Sequence, residues 1–298
     1  MFEFWRALLF QHRQTSPFPA GETTLPERFR GRPVVQCVGN ASNVAAFVAR
    51  APTAAIRRGH LGLPVLDLGA CLFSPEEAIE GDGCRSRYTS DVRMATQTRD
   101  GLVTPSGEVE LAKAMDQRMR RLLGRSLRLR SVAAGSCGGC ESELTAMSNV
   151  VFDMARFGVQ FVASPRHADG IVVTGVVNRN MADALERTYA AVPDPRIVIA
   201  VGACTASGGP FRESEAIVGI PTSIPVDLWI PGCPPHQLTI LDGLMRLLGR
   251  LDGKQSRKPP GEPATEAADE SREPRGVHGA ATRLLDPGVA MRCEETGA

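Results

Sequence analysis

The 298-residue chain has little excess charge of either sign and no long hydrophobic run. Its formal net charge of +1 argues against a nucleic-acid-binding protein, because such domains usually carry a marked basic excess. No stretch reaches the roughly 20 apolar residues that a membrane-spanning helix needs. The opening MFEFWRALLF lacks the basic start and small-residue cleavage site of a secretory signal. We therefore expect a protein that is cytosolic or peripheral to a membrane.

Familiar catalytic motifs are also missing from the sequence. It has no Ser-His-Asp order, no glycine-rich loop ending in Lys-Ser or Lys-Thr, and no pair of carboxylates that suggests an acid and a base. The hydrophobic content of 43% nevertheless supports a buried core. The chain is therefore predicted to be globular and not to act as a catalyst alone.

Composition divides the chain into regions. The tail is rich in proline, glycine and charge, and it has no sustained hydrophobic period, so we predict that it is disordered, including Cys293. The sequence VELAKAMDQRMRRLLGR (109–125) is typical of an amphipathic, basic connecting helix. The predicted order is an N-terminal segment (1–27), a small N-terminal region (28–108), a connecting helix (109–126), an α/β domain (127–250) and the tail (251–298).

Between residues 127 and 250, apolar β-branched runs alternate with helical patterns. The near-continuous hydrophobicity of the runs is typical of strands that are buried on both faces. The predicted strands are LRLRSVAA (127–134), VQFVA (159–163), GIVVTG (170–175), RIVIAVG (196–202) and VDLWIPG (226–232). The predicted crossover helices are ESELTAMSNVVFDMARF, NMADALERTYAAV and HQLTILDGLMRLLGR. This alternation predicts a doubly wound α/β fold whose parallel sheet has a flavodoxin-like order.

Four of the eight cysteines directly follow predicted strands of this domain. Cys137 and Cys140 follow the first strand, Cys204 follows RIVIA, and Cys233 follows DLW. In a doubly wound sheet, ligands bind beyond the carboxyl ends of the strands. Each cysteine lies within two residues of a glycine or proline, which lets the backbone turn tightly and approach a bulky ligand. We therefore expect the four thiols to converge.

Several chemistries compete for this set. A thioredoxin-type C-x-x-C pair would leave Cys204 and Cys233 unexplained. Structural zinc usually takes two close pairs of ligands, whereas here two of the cysteines are single and far apart in sequence. A four-iron cluster is larger and accepts thiolates from separate loops. The cysteines could also be small core residues, because free cysteine is often buried.

The ordered motifs GSCGGCESEL, SPRHADGIVVTG, VGACTASGG and PGCPPH resemble the small-subunit family shared by [NiFe]-hydrogenases and the B subunit of respiratory complex I. The resemblance covers roughly residues 125–250. It implies one [4Fe-4S] cluster bound by Cys137, Cys140, Cys204 and Cys233. It also implies an electron-transfer subunit whose chemistry takes place in a partner large subunit, at a nickel–iron centre or a quinone pocket.

Details of the motifs favour one branch of this family. Complex I B subunits have two adjacent cysteines at the first position, whereas here two glycines separate the pair, as in energy-converting hydrogenases such as formate hydrogenlyase. The resemblance therefore implies other iron–sulfur and membrane subunits as partners, and a peripheral position on the cytoplasmic face of the inner membrane. The alternatives are a B subunit of a complex I-type NADH-quinone oxidoreductase and a scaffold protein that holds structural zinc.

Further residues of these motifs are candidates for supporting roles. Glu143 lies where the family has an acidic residue facing the large subunit, so we consider a proton relay, or a charge that favours the helix dipole. Arg166 and His167 are candidates for tuning the cluster potential, or for a surface loop. Pro234 and Pro235 are expected to fix the loop that carries Cys233.

The N-terminal region resembles a ferredoxin that has lost its ligands. Bacterial ferredoxins bind clusters with C-x2-C-x2-C-x3-C-P. The sequence has apolar residues at this spacing, namely Ala41, Val44, Phe47 and Ala51 before Pro52. A second half begins at Cys71, but Ser74 and Glu77 occupy the next ligand positions. We therefore predict a degenerate ferredoxin-like region without clusters, in which Cys37, Cys71 and Cys84 form no ligand set; chance spacing in an alanine-rich helix is the alternative.

Overall fold

The computed structural model describes residues 14–251 except 22, 38–40, 52, 60–61, 82, 106–108, 125 and 136. These residues all fall within one compact unit of the chain. The predicted disordered tail beyond residue 251, with Cys293, lies outside the described residues, as do residues 1–13 of the predicted N-terminal segment.

The N-terminal region forms two small antiparallel sheets around an apolar core. The first sheet has the order β1-β5-β4 and the second the order β2-β3-β6. Phe47 and Leu68 lie in their shared core with no exposed surface. The elements are β1 (Pro33–Cys37), α1 (Ala41–Arg50), β2 (Ile56–Arg58), β3 (Pro64–Asp67), β4 (Glu80–Gly81), β5 (Cys84–Tyr88) and β6 (Val103–Thr104). The ferredoxin-like interpretation of this region stays a prediction.

Two cysteines of the N-terminal region form a disulfide. Cys37 of β1 and Cys84 of β5 lie directly opposite each other in the strand register and are joined by an S–S bond. The sequence predicts that these two cysteines belong to no ligand set, but it does not predict that they are joined by a disulfide. The difference arises because the pairing of β1 with β5 brings two cysteines together that are 47 residues apart.

The connecting helix is shorter than the sequence predicts. Helix α2 spans Gln117–Leu123, and the Asp116 side chain caps it by accepting hydrogen bonds from two backbone N–H groups of its first turn. The preceding residues 109–115 are not helical, and two of them form backbone hydrogen bonds with distant parts of the chain. Ala112 N donates to Ala95 O at 2.8 Å, and Met115 N donates to Leu247 O at 2.9 Å.

The C-terminal domain is built on a parallel five-stranded sheet. Its order is β11-β10-β9-β7-β8, and every neighbouring pair is parallel. Numbered within the domain, this is the order 2-1-3-4-5, which is flavodoxin-like. The elements are β7 (Leu127–Ala133), α3 (Gly139–Ala146), β8 (Val159–Phe161), β9 (Gly170–Thr174), α4 (Arg179–Ala190), β10 (Ile197–Val201), α5 (Ala203–Ser207), β11 (Leu228–Ile230) and α6 (Gln237–Leu247).

Helices cover both faces of this sheet. Every residue of β9 and β10 is buried, as expected for strands covered on both sides. Residues of α3 and α6 pack with one face, and residues of α4 pack with the other. The predicted doubly wound α/β fold is thus confirmed. One predicted helix is divided, since α3 ends at Ala146 and a separate helical turn covers Met154–Phe157.

The N-terminal region packs along the β11 edge of the sheet. Thr96 and Trp229 form an antiparallel bridge, with backbone hydrogen bonds of 3.0 and 2.8 Å. Arg99 donates both to Asp67 and to the backbone of Ala206 in α5. Among the described residues, no helix has the length and apolar character needed to cross a bilayer.

Candidate metal centre

The four predicted cysteines all lie beyond the carboxyl ends of parallel strands. Cys137 is exposed in the turn after β7, and Cys140 is buried in the first turn of α3. Cys204 is half-buried in α5, directly after β10, and Cys233 is half-buried after β11. All four are free thiols. Because these strands are parallel, their loops meet at one edge of the sheet.

Glycines allow the thiols to approach neighbouring loops. Gly202 has φ of +95°, and a Cβ there would lie 2.6 Å from Cys140 Sγ. Gly209 has φ of +53°, and a Cβ there would lie 2.9 Å from Cys204 Sγ. A side chain at either position would be strained and would collide with a sulfur atom. Because both positions lack a side chain, the sulfur atoms of Cys140 and Cys204 can lie directly against the backbone there.

Backbone hydrogen bonds join the loops that carry the cysteines. Gly202 N donates to Ile230 O, and Ala203 N donates to Gly232 O, both at 2.8 Å. Gly139 lies close to both the Cys137 sulfur and the Pro234 ring. A Cβ at Gly139 would be 3.5 Å from Cys137 Sγ and 3.6 Å from Pro234 Cγ. Three separate loops are thus held together at this edge.

The thiols interact electrostatically with one another. Burial is the main cause that raises the pKa of Cys140 to about 12. The charges of Glu141, Cys204, Cys233 and Cys137 contribute further to this rise. Burial raises the pKa of Cys204 to about 11, with Cys233 and Cys137 as the next causes. Burial and then Cys137 raise the pKa of Cys233. Four thiolates at this place therefore repel one another, and bound positive charge would favour their ionised form.

The four thiols are the type of donor that an iron–sulfur cluster requires. Four thiols are the usual ligands of a [4Fe-4S] cluster, and two of the sulfur atoms lie directly against glycines of neighbouring turns. Among the described residues, no group of three or more His, Cys, Asp or Glu side chains is arranged around a single ion. The fit therefore rests on donor type and on the convergence of the loops.

Glu141 is a neighbour of the thiols that the sequence reasoning missed. It follows Cys140 directly, and its Oε1 accepts a hydrogen bond of 2.6 Å from Thr174 Oγ1 at the carboxyl end of β9. Its Oε2 is buried without a hydrogen-bond partner in the described part of the chain. The signal in the sequence was its position immediately after a cysteine, in the first turn of a predicted helix.

Glu143 lies at a cavity beside Cys233. The cavity has a volume of about 240 Å³, and its lining includes Phe29, Phe73 and His236. The Oε2 atom of Glu143 is buried and has no hydrogen-bond partner among the described residues. Burial raises the pKa of Glu143 above its usual range. This carboxyl can therefore hold a proton more readily than an exposed one.

The other predicted supporting residues lie in two different places. Pro235 is buried and Pro234 exposed in the loop after Cys233. Arg166 and His167 are exposed in a helical turn that leads into the amino end of β9. The structure therefore does not bring Arg166 and His167 to the carboxyl edge with the cysteines, and their placement gives no support to a tuning role.

The flavodoxin-like sheet and the free thiols at its carboxyl edge define an α/β domain with a thiol-lined site. The model of the family described as NADH ubiquinone oxidoreductase, 20 Kd subunit, matches residues 137–247, which include all four cysteines. The chain belongs to this family, because several curated relatives exceed 30% identity and are matched over two thirds or more of their length.

Three relatives illustrate the range of the family. Formate hydrogenlyase subunit 7 of Escherichia coli is 38% identical over 57% of this chain and 67% of its own. The probable membrane-bound hydrogenase subunit mbhJ of Pyrococcus furiosus is 41% identical over 47% of this chain and 86% of its own. The B subunit of the NADH-quinone oxidoreductase of Heliobacterium modesticaldum is 44% identical over 38% of this chain and 65% of its own. Both hydrogenase and quinone-reductase complexes are thus represented.

Proposed function

We propose that the chain is an electron-transfer subunit that binds one [4Fe-4S] cluster through Cys137, Cys140, Cys204 and Cys233. The observation that carries the proposal is the convergence of these four free thiols from three loops at one edge of a parallel sheet. Membership of the family adds support. When bound, such a cluster accepts and donates single electrons.

The residues of the chain would then set the environment of the cluster. The buried Cys140 and half-buried Cys204 would limit the access of water, whereas the exposed Cys137 leaves one side open towards a partner. Backbone N–H groups at the start of α3 and in the glycine-rich loops would be available as donors to the sulfides. Burial and hydrogen bonding of this kind are the means by which a protein sets a cluster potential.

The proposed partner is a large subunit of the hydrogenase or complex I type, within a complex that has further iron–sulfur and membrane subunits. We favour the energy-converting [NiFe]-hydrogenase type of formate hydrogenlyase, because two glycines separate the first two cysteines and because that complex is represented among the relatives. The chain would lie on the cytoplasmic face of the inner membrane as a peripheral subunit.

Glu143 is proposed to relay protons towards the large subunit. Its half-buried carboxyl, raised pKa and position at the cavity beside Cys233 support this role. In the assembled complex, Glu143→Gln should lower proton-dependent turnover while leaving the paramagnetic resonance signal of the cluster unchanged. Loss of that signal in Glu143→Gln would instead indicate a structural role.

A second candidate function is electron transfer to quinone, as in the B subunit of a complex I-type enzyme. The apolar part of the same cavity, formed by Phe29, Phe73 and Met94, and the 44% identical relative favour it. The partner distinguishes the two functions. A large subunit that retains two C-x-x-C motifs for nickel supports hydrogen chemistry, and one that lacks them supports quinone chemistry.

The cluster proposal is tested by replacing each of the four cysteines in turn with alanine. We expect each variant to lose the iron–sulfur resonance signal of the reduced protein, because each would remove one of four ligands. Cys71→Ala is the matched control, since Cys71 is a free thiol of the N-terminal region and should be dispensable for the signal. A preparation that contains only zinc, or a signal that survives all four replacements, would contradict the proposal.

A further inference from the structure

The second half of the N-terminal region contains an unusual buried carboxylate. Glu77 is only 6% exposed and occupies the third ligand position of the ferredoxin-like pattern that begins at Cys71 and continues at Ser74. We propose that the Glu77 carboxylate is a built-in anion that occupies the place of a [4Fe-4S] cluster lost from this region. The inference does not depend on the cluster proposed for the C-terminal domain.

Donors converge on both oxygens of this carboxylate. Oε1 accepts from Thr53 Oγ1 at 2.5 Å and from Leu72 N at 3.2 Å. Oε2 accepts from Cys71 Sγ at 3.2 Å and from Ser74 N at 3.3 Å. In each of these contacts a Glu77 oxygen is the acceptor, which is the role that a carboxylate takes. The surrounding groups therefore form a cradle for an anion.

A hydroxyl completes the cradle. Tyr88 OH lies 3.2 Å from Glu77 Oε2 and 2.9 Å from Ser74 O, so its single proton has two acceptors within reach. Burial raises the pKa of Tyr88 well above its usual range, and burial followed by the charge of Glu77 raises the pKa of Cys71. Both groups therefore stay protonated and able to donate.

An ordinary helix cap explains only part of this arrangement. Glu77 ends the helical turn Pro75–Glu77, and its bond to Ser74 N is the expected cap. The bonds from Thr53, Leu72 and Cys71 come from outside that turn. An inorganic cluster is also anionic and accepts hydrogen bonds from backbone N–H groups through its sulfides. The cradle therefore has the donor character of a cluster site.

The location of Ala51, the fourth ligand position of the ferredoxin-like pattern, agrees with a lost cluster at Glu77. In two-cluster ferredoxins, the fourth cysteine of one run ligates the other cluster, and here that position is Ala51. Ala51 packs against the same apolar core that contains Cys71, and Thr53, two residues further on, bonds directly to Glu77. The chain after α1 is thus at the place where the fourth ligand is required.

The anion role is tested by chemical rescue of the full chain. Glu77→Ala should lower the melting temperature by roughly 5–10 °C, because several buried donors lose their acceptor. Added formate should raise the melting temperature of Glu77→Ala, while neutral formamide should not, because only formate restores the negative charge. Glu76→Ala is the matched control, since Glu76 is exposed in the same turn and should respond to neither compound.

Either of two outcomes for the Glu77→Ala variant would contradict the anion role. A melting temperature of Glu77→Ala equal to the wild type, or no difference between formate and formamide, would overturn the anion role. If Glu77→Ala does not fold, Glu77→Gln keeps the side-chain size but points amide hydrogens at the donors. A wild-type melting temperature for Glu77→Gln would then overturn the proposal.

The cluster position is tested by rebuilding the ligands. Together with Cys71, the triple variant Ala51→Cys, Ser74→Cys, Glu77→Cys presents four thiols, and reconstitution with iron and sulfide should add about four irons per chain relative to the wild type. The double variant Ala51→Cys, Ser74→Cys, which retains Glu77, should add no iron. Absence of extra iron and of a second resonance signal in the triple variant would contradict the proposal. The iron content of the wild type, which tests the cluster of the C-terminal domain, does not depend on this result.

Discussion

The two regions of the chain treat their cysteines in opposite ways. In the C-terminal domain, four thiols are free and converge beside glycines at the carboxyl edge of a sheet. In the N-terminal region, Cys37 and Cys84 are joined to each other, and the Cys71 thiol donates to Glu77. The fold around a cysteine, and not the number of cysteines in the chain, therefore indicates whether the thiol is available to a metal.

The same contrast applies to the balance of charge. The thiols of the C-terminal domain act on one another and raise one another's pKa values, so bound positive charge would stabilise their ionised forms. In the N-terminal region, the carboxylates of Glu77 and Asp67 are already satisfied by donors of the protein. One region is thus open to a cofactor, and the other is closed by its own side chains.

The largest effect is expected from the disulfide of the N-terminal region. The double variant Cys37→Ser, Cys84→Ser should lose about 2–4 kcal/mol of the free energy of unfolding, because the cross-link that restrains the unfolded chain is removed. Urea denaturation measures this loss. A thiol reductant should lower the stability of the wild type but not of the variant. An equal response of both proteins, or iron loss from the C-terminal domain in the variant, would contradict the contrast.

A smaller effect is expected at Gly202. Gly202→Ala should cost roughly 2–3 kcal/mol and reduce iron occupancy, because the new Cβ combines a positive φ with a collision against Cys140 Sγ. Gly219→Ala is the matched control, since Gly219 also has a positive φ but has open space around its Cβ position. Equal iron content in the two variants, determined after identical reconstitution, would show that the collision has no effect.

Arg99 tests the connection between the regions. Arg99 and Arg57 both pair with Asp67 Oδ2, at 2.9 and 2.7 Å, but only Arg99 also donates to Ala206 O in α5, at 2.7 Å. Arg99→Ala should therefore lower the free energy of unfolding by about 1–2 kcal/mol, and Arg57→Ala by less, because Arg57 is more exposed. The reverse order in urea denaturation would show that the bond to Ala206 does not contribute.

The smallest effect is expected at Asp91 and depends on pH. Burial opposes ionisation of Asp91, but hydrogen bonds and charge from Arg93 outweigh it and hold the pKa below the usual value of 3.8. The stabilisation is therefore present above pH 3.8 and is lost as the pH falls through the lowered pKa.

Asp91→Asn should thus be less stable than the wild type at neutral pH, and the difference should shrink below pH 3.8. Urea denaturation across this range measures the difference. Asp100→Asn is the control, since Asp100 is exposed. A difference between wild type and Asp91→Asn that is constant with pH would contradict the assignment.

The sequence predicted the C-terminal domain well for physical reasons. Strands that are buried on both faces must be continuously apolar, so β9 and β10 were visible, and parallel strands place their following loops at one edge, so the convergence of cysteines was expected. Residues such as Glu141 and Thr174 were missed, because a contact between two polar side chains leaves no local pattern.

The N-terminal region was harder to predict. The pairing of Cys37 with Cys84 depends on the register of β1 and β5, and single-sequence reasoning does not give the register of distant strands. The connecting helix was predicted too long, because the backbone N–H groups of Ala112 and Met115 bond to distant parts of the chain and not within a helix. The disulfide and the start of the connecting helix thus both depend on tertiary contacts that the local sequence pattern does not contain.

We expect the C-terminal domain to hold one cluster and the N-terminal region to hold none. The most direct measurement is the content of iron and acid-labile sulfide per wild-type chain, together with the resonance spectrum of the reduced protein. With one cluster, the wild type should contain about four irons and about four sulfides per chain. About eight irons per chain, or zinc in place of iron, would contradict it.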